Sequence, residues 1–172
     1  KPERRFIALL PEARILVIGQ GARNQHVELK SLIVSAGLEA KVDFWGWDGL
    51  ETAYRGLAAA DVALMPSVDT TATRSKCPVR LLDLAVAGLP VAAHNVGEVG
   101  TYIQDGVNGS LVTAPDIDGL ACAARNLVRT RGGDRSRDSL NNTLLTGALS
   151  STRAVEDLEI VYGKAISHRA GR

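Results

Sequence analysis

The chain is built around three stretches, the first two of which are joined by a polar loop that runs to Arg74: Asp-Val-Ala-Leu-Met-Pro-Ser (Asp61–Ser67), Ser-Lys-Cys-Pro-Val-Arg-Leu-Leu-Asp-Leu-Ala-Val-Ala-Gly (Ser75–Gly88) and Leu-Pro-Val-Ala-Ala-His-Asn-Val (Leu89–Val96). An apolar run that ends in Pro-Ser is typical of a buried parallel strand. The second stretch has helical content and stops at Gly88, a residue often found just past a helix end. Pro90 opens a second apolar strand. The unit is predicted to be β-α-β, with the loop after its first strand facing a ligand crevice.

Strands and helices alternate along the rest of the chain. Short apolar runs predict strands at Arg14–Ile18, Lys41–Trp45, Val62–Met65 and Ser110–Thr113, besides the strand that Pro90 opens. Helical spacing predicts helices at Pro2–Leu10, Asn24–Ala36, Leu50–Ala60, Gly97–Gln104, Ile117–Leu127 and Asp138–Leu149, and a last helix of about 15 residues that carries Val155, Leu158, Val161, Tyr162 and Ala165. This order predicts an α/β fold with a doubly wound parallel sheet, in one domain over residues 1–172 with C-terminal helices at 138–168.

Composition excludes several functional classes. The formal net charge of +1 argues against a dedicated nucleic-acid binder, and the small aromatic content of 4% leaves little for base-stacking platforms. The only cysteines, Cys77 and Cys122, lack metal-ligand spacing, and we predict that they are small buried hydrophobic residues of a reducing compartment. No apolar run reaches the roughly 18 residues that span a membrane.

Asp83 is the residue of the central unit that fits a purely structural role least well. It lies in a helical segment that is otherwise apolar, where a buried carboxylate without a partner would be costly. Arg80 stands three residues earlier on the same helical side and could form an ion pair with it. The residues alone leave two interpretations open: a carboxylate paired with Arg80, or one that faces a ligand.

Two short segments could approach an anion. Gly19-Gln20-Gly21 follows a strand and precedes a helix, although it lacks the third glycine of the dinucleotide fingerprint. Ser75-Lys76-Cys77-Pro78 lies at a helix start, where unpaired N–H groups favour negative charge, but an ordinary solvated helix cap explains it equally well.

Two other features have simpler explanations. His94 stands at the carboxyl end of a strand, on the rim of the predicted crevice, where a hydrogen-bonded structural role outweighs acid–base chemistry. Asp116 and Asp118 are spaced like a metal-binding pair, but their place at a helix start favours capping.

Taken together, the motifs resemble the C-terminal, donor-binding domain of GT-B glycosyltransferases, and most closely the retaining enzymes of glycosyltransferase family 4. The resemblance covers about Ile15 to Val128 and rests on the Gly-x-Gly turn, Gly46, the stretches Ala60–Ser67 and Leu81–Ala93, and the motifs Val96-Gly97-Glu98 and Asp105-Gly106-x-x-Gly109-x-Leu111-Val112. It implies a Rossmann-like donor domain with a motif-bearing core at residues 14–128.

The resemblance also implies a set of donor-binding residues. In the family a Glu, seven intervening residues and a second Glu hold the donor sugar and the ribose, and here Ser75 and Asp83 occupy those places. The loop at Trp45–Trp47 resembles the family's loop that contacts the base of the donor nucleotide. The backbone around Cys77–Val79 resembles the family's segment that contacts the diphosphate. The implied donor-binding set is Gly19, Gly21, Gly46, Trp47, Ser67, Ser75, Lys76, Cys77, Pro78, Val79 and Asp83, and no catalytic base can be named.

The chain departs from the family pattern at its beginning. Family donor domains start with one more strand, whose loop carries an Arg and a Lys, and they follow an acceptor-binding domain. We therefore expect a fragment whose sheet has a gap or a rearranged middle, and no strand before Arg14.

The resemblance predicts transfer of a glycosyl group from a nucleoside diphosphate sugar to an acceptor hydroxyl, without metal or other cofactor. The predicted partners are the nucleotide-sugar and an acceptor glycan, lipid or small molecule, with a cytoplasmic location that extends to the membrane periphery. Two alternatives are a nucleotide-sugar 2-epimerase-like isomerase and a non-catalytic GT-B-like protein, which the serine at position 75 favours.

Overall fold

The computed structural model describes residues 7–21, 25–131 and 151–170. The strands are β1 (Ile15–Ile18), β2 (Val42–Gly46), β3 (Ala63–Met65), β4 (Val91–His94) and β5 (Gly109–Val112). The helices are α1 (Gln25–Ser35), α2 (Gly49–Ala59), α3 (Thr71–Arg74), α4 (Arg80–Val86), α5 (Val99–Tyr102), α6 (Ile117–Arg131) and α7 (Ser151–Ala170).

The strands form two parallel sheets. β1 pairs with β2, and β3, β4 and β5 pair in that order. Within the described residues no ladder joins the two sheets, and residues 7–13 contain the end of a helix and a turn but no strand. The predicted α/β fold and the predicted break in the sheet are therefore confirmed.

β4 is the centre of the core because both of its faces are covered. Ala92 packs with the α6 residues Leu120 and Ala124, all at 0% exposure. The neighbouring Val91 and Ala93 point the other way, into a cluster formed mainly by α4 and α5. Alternate residues of a strand face opposite sides of a sheet, so this packing is the two-sided burial that a continuous apolar strand predicts.

The two sheets share one part of this core. Ile15 of β1 packs against the α6 cluster beside Leu64 of β3, and Leu9 and Leu10 join them. α2 lies against β1, where Gly56 leaves room for the side chains of the strand.

The structure differs from the sequence predictions at three helices. α3 is a separate helical turn within the loop that was predicted after β3, and α4 begins only at Arg80, since the segment from Ser75 precedes it as a loop. α7 extends over 20 residues, more than the roughly 15 predicted, and its apolar residues are exposed, Val155 and Leu158 at 53% each. The start of the Pro2–Leu10 helix and the Asp138–Leu149 helix lie outside the described residues.

Among the described helices, none is long and apolar enough to cross a membrane.

Candidate functional site

Most of the predicted donor-binding residues lie in one segment between β3 and α4, which we call the site loop (residues 66–79). The loop is folded by its own side chains. Thr70 caps α3 by accepting a hydrogen bond from the Thr73 N–H at 3.1 Å. The Arg74 guanidinium donates two parallel hydrogen bonds to the Asp69 carboxylate, from Nε to Oδ1 at 2.6 Å and from a terminal nitrogen to Oδ2 at 2.8 Å. Two such bonds fix both side chains in one plane, so the loop is a defined turn.

The site loop is also attached to the end of β4 and to the segment that follows it. His94 contacts Ser67 at the beginning of the loop, and Tyr102 Oη lies 3.2 Å from Cys77 Sγ near its end. Between these two points Gly97 packs against the backbone of Arg74, where an added Cβ would lie 2.7 Å from the Arg74 carbonyl oxygen. These three attachments position the loop against the carboxyl end of the β3-β4-β5 sheet, the end at which α/β folds bind ligands.

Ser75 and Lys76 lie on the exposed side of the site loop. The Ser75 hydroxyl donates to the Thr71 carbonyl oxygen at 2.8 Å, so it completes the turn of α3 in this structure. Lys76 is exposed, and no hydrogen bond or ion pair of its ammonium group occurs within the described chain. Lys76 is therefore the side chain of the loop that is available to an anionic ligand.

Asp83 is exposed in the first turn of α4. In the part of the chain that the structure describes, its carboxylate forms no ion pair with Arg80 and accepts no side-chain hydrogen bond. The interpretation of Asp83 as the partner of Arg80 is therefore not what the structure shows. The Asp83 carboxylate can accept hydrogen bonds from a ligand, and the exposed Lys76 supplies a positive charge. Both residues lie close in sequence to the start of α4.

The backbone before α4 is partly occupied by internal bonds. The Val79 N–H donates to the Cys77 carbonyl oxygen at 2.9 Å, and the Leu81 N–H donates to that of Pro78 at 2.8 Å. In this conformation the Val79 N–H is not offered to an anion, although the family resemblance places it at the diphosphate.

Cys77 is exposed, so the prediction of a buried hydrophobic residue is wrong for it, while Cys122 is half-buried. The physical reason is that α4 starts only at Arg80, later than the sequence suggested, which leaves Cys77 on the loop. Its thiol is within hydrogen-bonding distance of Tyr102 Oη, and this contact, together with partial burial, raises the pKa of the Tyr102 phenol.

The other predicted residues lie at the carboxyl ends of β1 and β2. The Gly19 N–H donates to the Gly46 carbonyl oxygen at 2.6 Å, and the two glycines have φ angles of 111° and 65°. Trp47 follows at 57% exposure, beside Trp45 at 44%, and Gly21 is also exposed. The structure brings these residues together at one end of the smaller sheet. Within the described residues, no hydrogen bond or ion pair links them to the site loop.

Asp116 is a helix cap, as predicted. Its Oδ1 accepts a hydrogen bond from the Gly119 N–H at 2.8 Å, in the first turn of α6. Among residues 7–21, 25–131 and 151–170, no group of three metal-ligating side chains comes together.

Acidification should loosen the site loop. The hydrogen bonds from Arg74 lower the pKa of the Asp69 carboxyl. A carboxyl whose pKa is lowered by folding stabilises the fold above its ordinary pKa, near 4, and loses that contribution as the pH falls through the lowered value. We expect the amide NMR signals of residues 70–75 to shift in that acid range, and Asp69→Asn to produce similar shifts at pH 7.

The matched control is a second doubly bonded ion pair, Arg14 with Asp43, which joins β1 to β2 away from the loop. Asp43→Asn should leave the signals of residues 70–75 in place. Unchanged loop signals in Asp69→Asn would show that the ion pair does not shape the loop.

The parts of the site that sequence reasoning missed are the contacts that hold it. The Asp69–Arg74 pair is visible in the sequence, since opposite charges five residues apart flank Thr-Thr-Ala-Thr, and threonine is a common helix cap. The contact between Gly97 and Arg74 has no local sequence pattern that would predict it, because 23 residues separate the partners.

Comparison with known proteins agrees with the fold. Residues 4–130 match the model of the family described as glycosyl transferases group 1. A D-inositol 3-phosphate glycosyltransferase of Mycobacterium ulcerans (strain Agy99) is 29% identical over 160 residues, which cover 88% of this chain and 30% of that protein.

Two solved structures share the fold. A sucrose-phosphate synthase from Thermosynechococcus elongatus superposes with a TM-score of 0.77 at 20% identity, covering 97% of this chain and 42% of that one. HepE of Anabaena in complex with UDP gives a TM-score of 0.64 at 20% identity, covering 91% of this chain and 44% of that one. The chain spans about 30% of the length of the curated relative.

Proposed function

This chain belongs to the family of glycosyl transferases group 1, with a GT-B fold, and from that premise we propose that it is the donor-binding part of a retaining glycosyltransferase. The enzyme would transfer a glycosyl group from a nucleoside diphosphate sugar to an acceptor hydroxyl. The bond from the anomeric carbon to the diphosphate oxygen breaks, a bond to the acceptor oxygen forms with retention, and the proton of the acceptor hydroxyl passes to the departing nucleoside diphosphate. The acceptor would be held mainly by residues outside this chain, so we expect the chain to bind donor without transferring it.

The observation that carries the proposal is the state of Asp83. An exposed carboxylate with no partner in the described chain is free to accept hydrogen bonds from a ligand. Two vicinal hydroxyls suit the two oxygens of a carboxylate, and such charge-assisted bonds are stronger than neutral ones. Asp83 occupies the position at which the family holds the ribose of the nucleotide, so we assign it that role.

The remaining residues of the loop are assigned by charge. Lys76 would contact the diphosphate, where a cation stabilises the negative charge that develops as the glycosyl bond breaks. Ser75 would face the donor sugar, after releasing its hydrogen bond to Thr71. No metal is assigned a role, because a cation and backbone N–H groups can stabilise a departing diphosphate.

The base would lie at the other group of predicted residues. Trp47 exposes a large aromatic surface beside Gly46, and a nucleotide base can stack on such a surface. UDP is the first nucleotide to test, since HepE of Anabaena holds it in a chain of similar fold.

We expect one nucleotide among UDP, GDP and ADP to bind this chain in a calorimetric titration. Asp83→Ala should weaken that binding about tenfold or more, since the loss of a hydrogen bond to a charged group costs about 1.5–3 kcal/mol. Glu159→Ala, which removes an exposed carboxylate of α7, should bind as the unsubstituted chain does. A folded protein that binds none of the three would refute donor binding, and equal affinities would remove Asp83 from the site.

A non-catalytic role is the second candidate, and Ser75 favours it. A serine whose hydroxyl is bonded to Thr71 lacks the charge that the family places beside the donor sugar. Hydrolysis of a nucleoside diphosphate sugar by a complete protein that contains this chain would exclude that role.

A further inference from the structure

His94 is the polar side chain that the described structure buries most completely. It is 1% exposed and is one of two large side chains, with Leu120, that are fully enclosed. Burying a polar ring without hydrogen bonds would be costly, so its contacts should explain why it is there.

Both ring nitrogens of His94 meet backbone groups of distant loops. Nδ1 lies 3.1 Å from the Ser67 nitrogen and 2.8 Å from the Ser67 carbonyl oxygen, and Nε2 lies 3.1 Å from the Asp116 carbonyl oxygen. Nδ1 accepts from the Ser67 N–H when it carries no proton and donates to the Ser67 carbonyl when it does. The ring therefore holds Ser67 in either protonation pattern.

The position of His94 in the sheet explains why its ring reaches two loops. It is the last residue of β4, the middle strand of the order β3-β4-β5. Ser67 follows β3 and Asp116 follows β5, so one ring connects the loops after both flanking strands. An apolar side chain of similar size would fill the space without fixing either loop.

We infer that His94 is a positioning residue of the nucleotide-sugar site, and that its bond to Ser67 sets the start of the site loop against the ligand. The inference rests on the proposed function, because Ser67 and Ser75–Val79 are the residues that the loop would present. His94 itself does not reach the substrate, since both of its nitrogens are bonded to backbone and its surface is enclosed. It acts through Ser67.

Two substitutions separate the two halves of this connection. In His94→Asn the side-chain oxygen takes the place of Nδ1 and can accept from the Ser67 N–H, but nothing reaches Asp116. In His94→Gln the longer amide takes the place of Nε2 and can donate to the Asp116 carbonyl, but the bond to Ser67 is lost. Both variants lose one half of the connection, so both should unfold at lower temperature than the unsubstituted protein.

Nucleotide binding should distinguish the two variants. We expect His94→Asn to bind UDP, or whichever of the three nucleotides the unsubstituted chain binds, within about threefold of it, and His94→Gln to bind about tenfold more weakly, as expected for one lost hydrogen bond at a loop that contacts the ligand. Equal affinities in the two variants, or the reverse order, would overturn the inference, because a purely structural histidine would affect both alike.

Hydrogen exchange without nucleotide separates this inference from the proposed function. The Ser67 amide should exchange faster in His94→Gln than in His94→Asn. If neither variant nor the unsubstituted protein binds nucleotide but the exchange rates differ in this order, the bond from His94 holds Ser67 as inferred and the donor-site proposal fails. Equal exchange rates would show that His94 does not hold Ser67 and would overturn the inference. If His94→Gln does not fold, ¹⁵N NMR of the unsubstituted protein decides, since a ring nitrogen without a hydrogen bond would overturn the inference.

Discussion

Gly109→Ala is expected to destabilise the fold by about 3 kcal/mol, in the upper range for overpacking a core. Gly109 begins β5 and is buried against β4. An added Cβ would press on the Val91 carbonyl oxygen and would lie 2.9 Å from Ile103 Cγ2. Because the obstructing oxygen belongs to the neighbouring strand, relief requires the β4–β5 ladder to move. Urea denaturation followed by circular dichroism measures the change.

A second glycine provides the control for Gly109. Gly163 lies in α7, and nothing stands within 4 Å of the Cβ that alanine would add. Alanine is favoured over glycine inside a helix by about 0.5–1 kcal/mol, so Gly163→Ala should not lower the urea midpoint. A Gly109→Ala protein with an unchanged midpoint would mean that the two strands are packed less closely than the structure has them.

The fold could be predicted because its signals are local. Each strand is a short apolar run, and Gly88 and Pro90 mark the helix end and the strand start beside each other. β4 reads as a strand covered on both faces, and the packing of Ala92 against α6 and of Val91 against the other cluster confirms it.

Packing between distant elements could not be predicted in the same way. The apolar spacing of α7 predicts a helix correctly, but periodicity does not say whether a partner covers the face, and Tyr162 is 65% exposed. Within the site, the sequence selected the loop and its residues. It could not show that the loop is held by His94, because that contact joins backbone to side chain across 27 residues.

Gly97→Ala should affect nucleotide binding at the site loop more than the stability of the fold. Gly97 has a φ of +59°, and alanine in the left-handed region costs about 1–2 kcal/mol by itself. In addition, the new Cβ would lie 2.7 Å from the Arg74 carbonyl oxygen and 2.8 Å from Arg74 Cα. Both are backbone atoms of the site loop, so the loop must move outward. We expect binding of the donor nucleotide to weaken at least about tenfold, and trypsin to cleave faster after the exposed Arg74.

Two neighbouring glycines separate the causes of this effect. Gly106 has a φ of +76° with nothing within 4 Å of an added Cβ, so Gly106→Ala reports the backbone strain alone. Gly100 would meet only the Asn95 side chain, which can rotate, so Gly100→Ala reports an added methyl near the loop. If the clash with Arg74 is what displaces the loop, only Gly97→Ala accelerates cleavage after Arg74 and weakens nucleotide binding. If Gly106→Ala weakens binding equally, strain in this region rather than contact with Arg74 controls the site, and the attachment at Gly97 has no role in positioning the loop.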